Sequence, residues 1–273
     1  MTGYPKMNFH THTTYCDGKE SAEKMILAAI SKGFTRLGFS GHSYTAYDES
    51  YCMKKAEVYR YVEEIHALKE KYKDKIQIFC GVEQDYGSIF TTDPFDYVIG
   101  SVHAVEKNGI FYSVDDTALE FQKSVEQGFG GDVYNFIEEF YRCEAEVVEK
   151  THADIIGHFD LITKFNEHHE FFDPEDKRYR DASLEALRTL VKYEKPFEIN
   201  TGGMYRRLRT KPYPSMELLK ELHQRGAKVM LSSDSHDGNS IGYQFGMVTK
   251  LIKDIGFDRV TVFGKEGFTE QKI

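Results

Sequence analysis

The sequence is poor in cysteine, and its cysteines are not arranged in pairs. It has four, at positions 16, 52, 80 and 143, with no CxxC spacing among them. Disulfide-stabilised secreted domains and sulfur-ligated metal sites both need clustered or regularly spaced cysteines. The sequence therefore argues against both classes and is typical of a cytoplasmic protein with reduced thiols.

Long hydrophobic runs and excess positive charge are also missing. No run of 18 apolar residues occurs, and the first residues, MTGYPKMN, are not typical of a signal peptide. The formal net charge is −9, from 35 Lys and Arg against 44 Asp and Glu. Nucleic acids and membrane surfaces attract basic proteins, so we expect neither as a partner. A small-molecule ligand is expected instead, and no oligomeric state is predicted.

Short apolar segments alternate with amphipathic helical patterns along the 273 residues. The predicted strands are 6–10, 35–41, 76–82, 96–102, 153–157, 196–200 and 228–232. The predicted helices are 20–32, 54–72, 132–150, 180–194, 215–225 and 240–255. This alternation is typical of parallel βαβ units. We therefore predict an α/β fold, a distorted seven-stranded (β/α) barrel in one domain over 1–273, with irregular segments at 104–131 and 163–179.

Six of the eleven histidines follow the predicted strands directly. They are His10, His12, His42, His103, His158 and His236. The carboxyl ends of parallel strands meet on one face of a barrel, so this placement predicts that the six imidazoles converge. His10 and His12 are two residues apart and point to the same side of a strand, where both could bind one metal ion. For this pair alone, two structural polar histidines are an equally good interpretation.

Carboxylates also occur just after predicted strands, as the histidines do. Asp17 lies in the loop after the first strand, and Glu83 and Asp234 follow the third and seventh. Carboxylates can bridge two cations, and mixed oxygen and nitrogen ligands suit hard or borderline metals. Nine such ligands are too many for one ion and predict two or three divalent ions of Zn, Mn or Fe. The competing interpretation is a structural ring of polar side chains.

The segments that carry these residues resemble the polymerase-and-histidinol-phosphatase (PHP) family of metal-dependent phosphoesterases. They are FHTHTTYCDG at 9–18, FSGH at 39–42, GVE at 81–83, GSVH at 100–103, GHFD at 157–160 and SSDSH at 232–236. The resemblance implies a distorted PHP-type barrel with a trinuclear metal centre. The chain length, the insertion after SVH and the segment EINTGG at 198–203 are similar to the histidinol-phosphatase branch.

The resemblance also implies how the ligands divide among the ions. The first ion would take His10, His12, Glu83 and Asp234. The second would share Glu83 and add His103 and His158. The third would take Asp17, His42 and His236.

Such a centre has a defined chemistry. Closely spaced cations lower the pKa of a bridging water, generate hydroxide and neutralise the charge of a phosphate ester. The resemblance implies hydrolysis of L-histidinol phosphate to L-histidinol and phosphate in histidine biosynthesis. Two alternatives stay open: a phosphoesterase for another substrate, such as a nucleotide or phosphotyrosine, and a metal-binding scaffold without catalysis.

Other residues are candidates for contacts with the substrate. Asp160, two residues after His158, could donate a proton to the leaving group, or it could orient a histidine or cap a helix. Arg206 and Arg207 lie in the basic run MYRRLRTK and could bind a phosphate. Lys164, in the loop after GHFD, is a third candidate for this role.

Overall fold

The computed structural model describes residues 3–273 and places seven parallel strands in one sheet. In the described residues the strands are β1 (Met7–Asn8), β2 (Arg36–Phe39), β3 (Gln77–Asp85), β4 (Tyr97–Ser101), β5 (Ala104–Lys107), β6 (Ile110–Ser113), β7 (Ile155–Ile156), β8 (Phe197–Asn200), β9 (Val229–Ser232), β10 (Arg259–Gly264) and β11 (Gly267–Lys272). The sheet order is β1-β2-β3-β4-β7-β8-β9. All seven predicted strands are present, and residues 1 and 2 of the predicted domain lie outside the described residues.

The sheet closes on itself just beyond β1 and β9. Thr11 and Ser235 form a parallel bridge there. The His12 N–H donates to the Ser235 carbonyl at 2.8 Å, and the Ser235 N–H donates to the His10 carbonyl at 2.9 Å. The barrel strands differ in length, and β1 and β7 are only two residues long. The predicted distorted seven-stranded barrel is confirmed.

Helices connect most of the barrel strands. They are α1 (Ala22–Ser31), α2 (Val58–Tyr72), α3 (Ala118–Phe129), α4 (Val133–Thr151), α5 (Lys177–Val191), α6 (Gly202–Tyr205), α7 (Met216–Gln224) and α8 (Phe245–Ile255), with a 3₁₀ turn at Leu161–Thr163. The apolar periodicity sets which faces are buried: in α1 the buried residues are Ala22, Met25, Ile26 and Ala29. Within residues 3–273 no helix combines the length and the hydropathy that crossing a membrane requires.

Two regions differ from the sequence-based prediction. Segment 104–131, predicted as irregular, contains the antiparallel hairpin β5–β6 and the helix α3. Thr117 caps α3 by accepting a hydrogen bond from the Glu120 N–H, and the left-handed Gly130 ends the helix. Beyond α8 the chain adds the hairpin β10–β11, which was not predicted. Both hairpins have local pairing and turn geometry that the apolar periodicity does not reveal.

An apolar cluster separate from the main core fills the barrel interior. Its members come from β1, β3, β4, β7, β9 and β10 and include Phe9, Phe79, Tyr97 and Phe263. The Phe9 ring lies 5.3 Å from the rings of both Phe79 and Tyr97 and 5.4 Å from that of Phe263. Aromatic contacts of this kind add to the free energy gained by burying the rings. The hairpin strand β10 thus contributes side chains to the apolar core inside the barrel.

Tyr97 fits into this interior because the facing strands carry glycine. A Cβ on Gly81 would lie 2.4 Å from the Tyr97 ring, and one on Gly38 would lie 2.4 Å from its hydroxyl oxygen. The same hydroxyl is 2.6 Å from the Phe9 carbonyl and 2.9 Å from the Phe39 carbonyl. Tyr97 therefore connects three strands, and its ring occupies the space that two side chains would take.

We predict that Gly81→Ala lowers the free energy of unfolding by about 1–3 kcal/mol, because the added methyl group overpacks the Tyr97 ring. Gly246→Ala is the matched control, since a Cβ there finds its nearest atom 3.8 Å away within the helix α8. The control should be neutral or stabilising by up to about 1 kcal/mol. Urea unfolding followed by circular dichroism measures both. Equal stability of the two variants would contradict the packing argument.

Candidate metal centre

Polar side chains collect where the carboxyl-terminal ends of the barrel strands meet. His10 and His12 follow β1, and His42 follows β2 and forms a parallel bridge with Glu83. Three more histidines follow β4, β7 and β9, and they are His103, His158 and His236. All six except His236 are buried. The structure thus brings together the six histidines that the strand-end pattern singled out.

Glu83 lies inside β3, whereas the sequence placed it just beyond that strand. It pairs with Ile99 of β4. The Ser43 N–H donates to the Glu83 carbonyl at 2.8 Å, and the Glu83 N–H donates to the Gly41 carbonyl at 3.1 Å. Because pairing continues on both sides, the strand extends to Asp85 and holds the Glu83 side chain on a rigid element.

One carboxylate oxygen of Glu83 faces three imidazoles. Oε2 is 3.0 Å from Nδ1 of His42, 3.2 Å from Nε2 of His10 and 3.5 Å from Nε2 of His12. Imidazoles from the ends of two neighbouring strands, β1 and β2, therefore share one oxygen atom of Glu83.

The other oxygen of Glu83 faces the opposite side of the cluster. Oε1 is 2.9 Å from Nε2 of His158 and 3.3 Å from Nε2 of His103. The Ser101 hydroxyl donates to the same oxygen at 2.7 Å. Since each oxygen has its own set of histidines, this carboxylate is suited to bridging two cations.

A second acidic residue, Asp17, serves the outer side of the cluster. Its Oδ2 is 3.0 Å from Nε2 of His236, and its Oδ1 is 3.6 Å from Nδ1 of His12 and 3.7 Å from Nε2 of His42. The Asp17 side chain is 34% exposed, so this part of the cluster is open to solvent.

Asp234 completes the set at the end of β9. Its Oδ1 lies 3.2 Å from Nε2 of His12 and 3.5 Å from Nε2 of His10. Its backbone φ is +44°, a strained value for a residue other than glycine. Strain of this kind is held in place by surrounding structure and is concentrated at functional sites.

Several buried atoms inside the cluster, among the described residues, approach one another at 3.0 to 3.5 Å without the geometry of a hydrogen bond. They are Nε2 of His10, Nε2 of His12, Nδ1 of His42 and Oε2 of Glu83. Leaving buried polar atoms unpaired is costly, and imidazole nitrogens with carboxylate oxygens are the ligands that divalent metals take. The residues therefore fit a centre for divalent metal ions.

The ligand atoms fall into four overlapping groups, each compact enough for one ion. The groups are His12–Asp17–His42–His236, His10–His12–Asp234, His10–Glu83–His158 and His42–Glu83–His103. The first contains the whole third set implied by the family resemblance, with His12 added. The implied second set is divided between the last two groups, which place His158 with His10 and His103 with His42, each beside Glu83.

Burial and nearby charges shift the pKa values of the cluster. Burial lowers the imidazole pKa of His10, His42 and His103, but neighbouring carboxylates, chiefly Glu198 at His10 and Glu83 at the other two, raise it above the usual value overall. Burial opposes ionisation of Glu83, but the imidazoles of His10, His42 and His103 hold the pKa of its carboxyl well below the usual range. Burial, with repulsion from His236 and His42, lowers the pKa of the His12 imidazole to about 3. Metals bind the carboxylate and the neutral imidazole, so a metal ion would compete with protons at His10, His42 and His103 but hardly at His12.

Two residues that support the histidines were missed in the sequence. Glu198 Oε1 is 2.8 Å from Nδ1 of His10, and Asp85 Oδ2 is 2.9 Å from Nδ1 of His103. A carboxylate at the second nitrogen fixes the tautomer and direction of a metal-binding histidine. The signal for Asp85 was its position two residues after Glu83, on the same face of β3. Glu198 was visible only as the first residue of EINTGG.

Asp160, proposed from sequence as a proton donor, is not among the described residues that line the cleft over the cluster. It is fully buried, and its Oδ2 accepts a hydrogen bond from the Ser215 N–H at 2.8 Å. Burial raises the pKa of its carboxyl. Its side chain does not cap the 3₁₀ turn that follows. The contact joins the loops after β7 and β8, so the geometry favours a structural role.

The basic candidates separate in the structure. Arg206 lines the cleft, with Nη2 2.8 Å from Asp234 Oδ2 and Nη1 3.4 Å from His236 Nδ1. Arg207 lies in a different groove, beside Leu208. Lys164 lines the cleft, and its Nζ is 2.9 Å from Asp115 Oδ2. Arg206 and Lys164 are thus placed to contact a ligand over the cluster.

Comparison with known proteins agrees with this geometry. The model of the PHP domain family matches residues 8–202. A probable histidinol-phosphatase from Schizosaccharomyces pombe is 27% identical, over 94% of this chain and 89% of that protein. A probable histidinol-phosphatase from Deinococcus radiodurans is 28% identical, over 96% of this chain and 97% of that protein.

Solved structures share the fold. A crystal structure from Listeria monocytogenes has a TM-score of 0.77 and 22% identity, over 88% of this chain and 99% of that one. The histidinol phosphate phosphatase of Lactococcus lactis, crystallised with Zn, L-histidinol and phosphate, has a TM-score of 0.68 and 24% identity, over 97% of this chain and 99% of that one.

We predict that Glu198→Gln lowers metal affinity by about 10- to 100-fold while the fold is retained, because the His10 ring loses its carboxylate partner. Isothermal titration calorimetry of the metal-free protein with Zn or Mn measures the change in metal affinity. Glu266→Gln, at an exposed position in the turn between β10 and β11, is the control and should bind metal normally. Unchanged affinity in Glu198→Gln would show that this contact does not support metal binding.

Proposed function

The chain belongs to the PHP family, and on that basis we propose that it is a metal-dependent phosphomonoesterase that hydrolyses L-histidinol phosphate to L-histidinol and phosphate. The observation that carries the proposal is the Glu83 carboxylate, with nitrogens of five histidines within 3.5 Å of its oxygens. The relatives named as histidinol-phosphatases match nearly the whole chain, and the Lactococcus lactis structure holds Zn, L-histidinol and phosphate. These likenesses support this substrate over other phosphoesters.

We propose that the cluster binds two or three divalent ions. The proposed ligands are His10, His12, Asp17, His42, Glu83, His103, His158, Asp234 and His236. Divalent ions bound there would lower the pKa of a bound water and neutralise the charge of a phosphate. The chain contributes the fixed positions of the ligands, since Glu198 and Asp85 orient two of the histidines and β3 holds Glu83.

Arg206 and Lys164 are the proposed phosphate-binding residues of the chain itself. Both line the cleft of about 270 Å³ that also exposes His158 and His236. A guanidinium can donate two parallel hydrogen bonds to a phosphate, and an ammonium group supplies a compact positive charge. Arg207 points to a different groove, so we assign the phosphate contact to Arg206 rather than to its neighbour.

The cationic part of the substrate has a suitable cavity next to this cleft. The cavity measures about 310 Å³ and is lined by Asp48, Asp115 and Asp116 as well as by His42 and His103. Its net negative charge favours an amine or imidazolium group over a neutral leaving group.

An aromatic wall borders the same cavity. The Tyr47 and Phe111 rings are stacked, with centroids 4.3 Å apart and an interplanar angle of 11°. An imidazole ring can pack on such a surface, and a cation gains further attraction from it. Phosphate in the cleft and imidazole against this wall would place the two ends of L-histidinol phosphate in adjoining cavities.

We propose that residues 1–273 act as one domain, that the protein works in the cytoplasm and that its substrate is a small molecule rather than a nucleic acid.

We predict that Glu83→Gln lowers kcat by at least about 100-fold, more than the loss of a supporting carboxylate, because the bridging oxygen atoms lose their charge. His66→Ala is the control, since His66 is exposed on α2 and lies outside the cluster. Release of phosphate from L-histidinol phosphate by metal-loaded protein measures both. Comparable activity in the two variants would mean that the ligand set is wrong.

We predict that Asp116→Asn lowers kcat/KM for L-histidinol phosphate by about 10-fold and leaves that for phenyl phosphate within about twofold, because only the first substrate offers a cation to the cavity. Asp93→Asn, on an exposed loop elsewhere, is the control. An equal loss for both substrates would exclude this role of Asp116. A nucleoside monophosphate or phosphotyrosine preferred tenfold over L-histidinol phosphate by the unmodified protein would overturn the substrate assignment and leave a broader phosphoesterase.

A further inference from the structure

A third basic residue, Lys19, lines the cleft over the metal centre together with Arg206 and Lys164. It is exposed and lies two residues after the proposed ligand Asp17. Its position in the loop does not mark it as the end of a strand, so the pattern that singled out the ligands passes over it. The structure brings it to the same space as the ligands.

The backbone holds Lys19 beside the outer side of the cluster. The Lys19 N–H donates to the His236 carbonyl at 2.7 Å. The next residue, Glu20, is fixed as well, because its Oε2 accepts a hydrogen bond from the Gly238 N–H at 2.8 Å. The loop after β1 is thus joined to the loop after β9, which carries His236. The Lys19 side chain therefore starts from a defined point next to a proposed metal ligand.

The charges of the other two basic residues in the cleft are already matched. Nη2 of Arg206 is 2.8 Å from Oδ2 of Asp234, and Nζ of Lys164 is 2.9 Å from Oδ2 of Asp115. Within residues 3–273 the Lys19 ammonium group forms no ion pair and no hydrogen bond, although it lines the same cleft. Of the three, Lys19 is thus the cation that can give its full charge to an anionic ligand.

The carboxylates on the same side of the cleft have other partners. Asp17 Oδ2 is 3.0 Å from Nε2 of His236. Asp237 accepts a hydrogen bond from the Tyr205 hydroxyl at 3.0 Å. Both acids line the cleft, and neither forms an ion pair with Lys19. The ammonium group is left for a ligand.

Lys19 also lies on the side of the cleft away from the cavity that would take the cationic end of the substrate. Asp115 and Lys164 line both the cleft and that cavity, whereas Lys19 and Arg206 line the cleft alone. With the amine and the imidazole in the cavity, the phosphate would be directed towards Arg206 and Lys19. A positive charge at that side favours this orientation over the reverse one.

We propose that Lys19 is a further phosphate-binding residue, whose ammonium group contacts phosphate oxygens that face away from the cationic end of the substrate. The inference rests on the proposed function, because it requires a phosphate group in the cleft over the metal centre. A lysine ammonium is a compact charge on a flexible stem, so it can follow the phosphate as it enters and leaves. Its contribution is to binding rather than to the chemical step, and every phosphate ester would receive it.

Isothermal titration calorimetry of the full-length, metal-loaded protein with inorganic phosphate tests the contact without relying on activity. Lys19→Met should weaken phosphate binding by about three- to fivefold, which is the range for a charged pair exposed to solvent. Lys24→Met is the matched control, because Lys24 is also exposed, lies on α1 and does not line the cleft. Its phosphate affinity should be unchanged. Equal affinity in Lys19→Met and Lys24→Met would overturn the proposal.

Two further measurements separate a phosphate contact from an indirect effect. Lys19→Arg keeps the charge and should bind phosphate within about twofold of the unmodified protein. Binding as weak as that of Lys19→Met would show that the charge is not what matters. Metal analysis accompanies each titration, and all variants should hold the same number of ions. A loss of phosphate affinity that follows a loss of metal would also overturn the proposal, since Lys19 would then act through the ligands.

Kinetics show which part of the substrate Lys19 contacts. Lys19→Met should raise KM for L-histidinol phosphate and for phenyl phosphate by the same factor and leave both kcat values within about twofold, because the phosphate is common to the two. An effect on L-histidinol phosphate alone would place the contact at its other end and overturn the proposal. If the protein hydrolyses neither ester, the proposed function fails, and the titration with inorganic phosphate still decides the role of Lys19.

Discussion

The Glu83 carboxylate is the interaction on which the metal centre depends. It is 1% exposed, and an ionised carboxylate at that depth needs strong compensation. Five imidazoles and the Ser101 hydroxyl provide it, and they come from the ends of β1, β2, β4 and β7. These strands and β3 are consecutive in the sheet, and closure between β1 and β9 brings Asp234 and His236 to the same cluster.

One strand shows how the barrel combines an apolar interior with a polar end. Gly81, Glu83 and Asp85 share a face of β3, because side chains alternate along a strand. Gly81 leaves room for the Tyr97 ring, Glu83 faces the histidines, and Asp85 orients His103. Over five residues this face therefore changes from core packing to ligand support. The rigid apolar packing below fixes the positions of the polar groups above, as a multi-metal site requires.

The sequence by itself determined the barrel and the nine candidate ligands, since strand periodicity and the position of polar residues at strand ends are local properties. Only the tertiary structure decided that Glu83 lies between two sets of histidines, that Glu198 and Asp85 support them and that Asp160 is buried outside the lining of the cleft. It also separated Arg206 from Arg207, although the two are adjacent in the chain. Contacts of this kind join residues far apart in sequence, such as His10 and Glu198, and they depend on how strands and loops pack. The hairpins β5–β6 and β10–β11 were missed for a similar reason, because short antiparallel pairs are recognised by partner and turn geometry rather than by apolar periodicity.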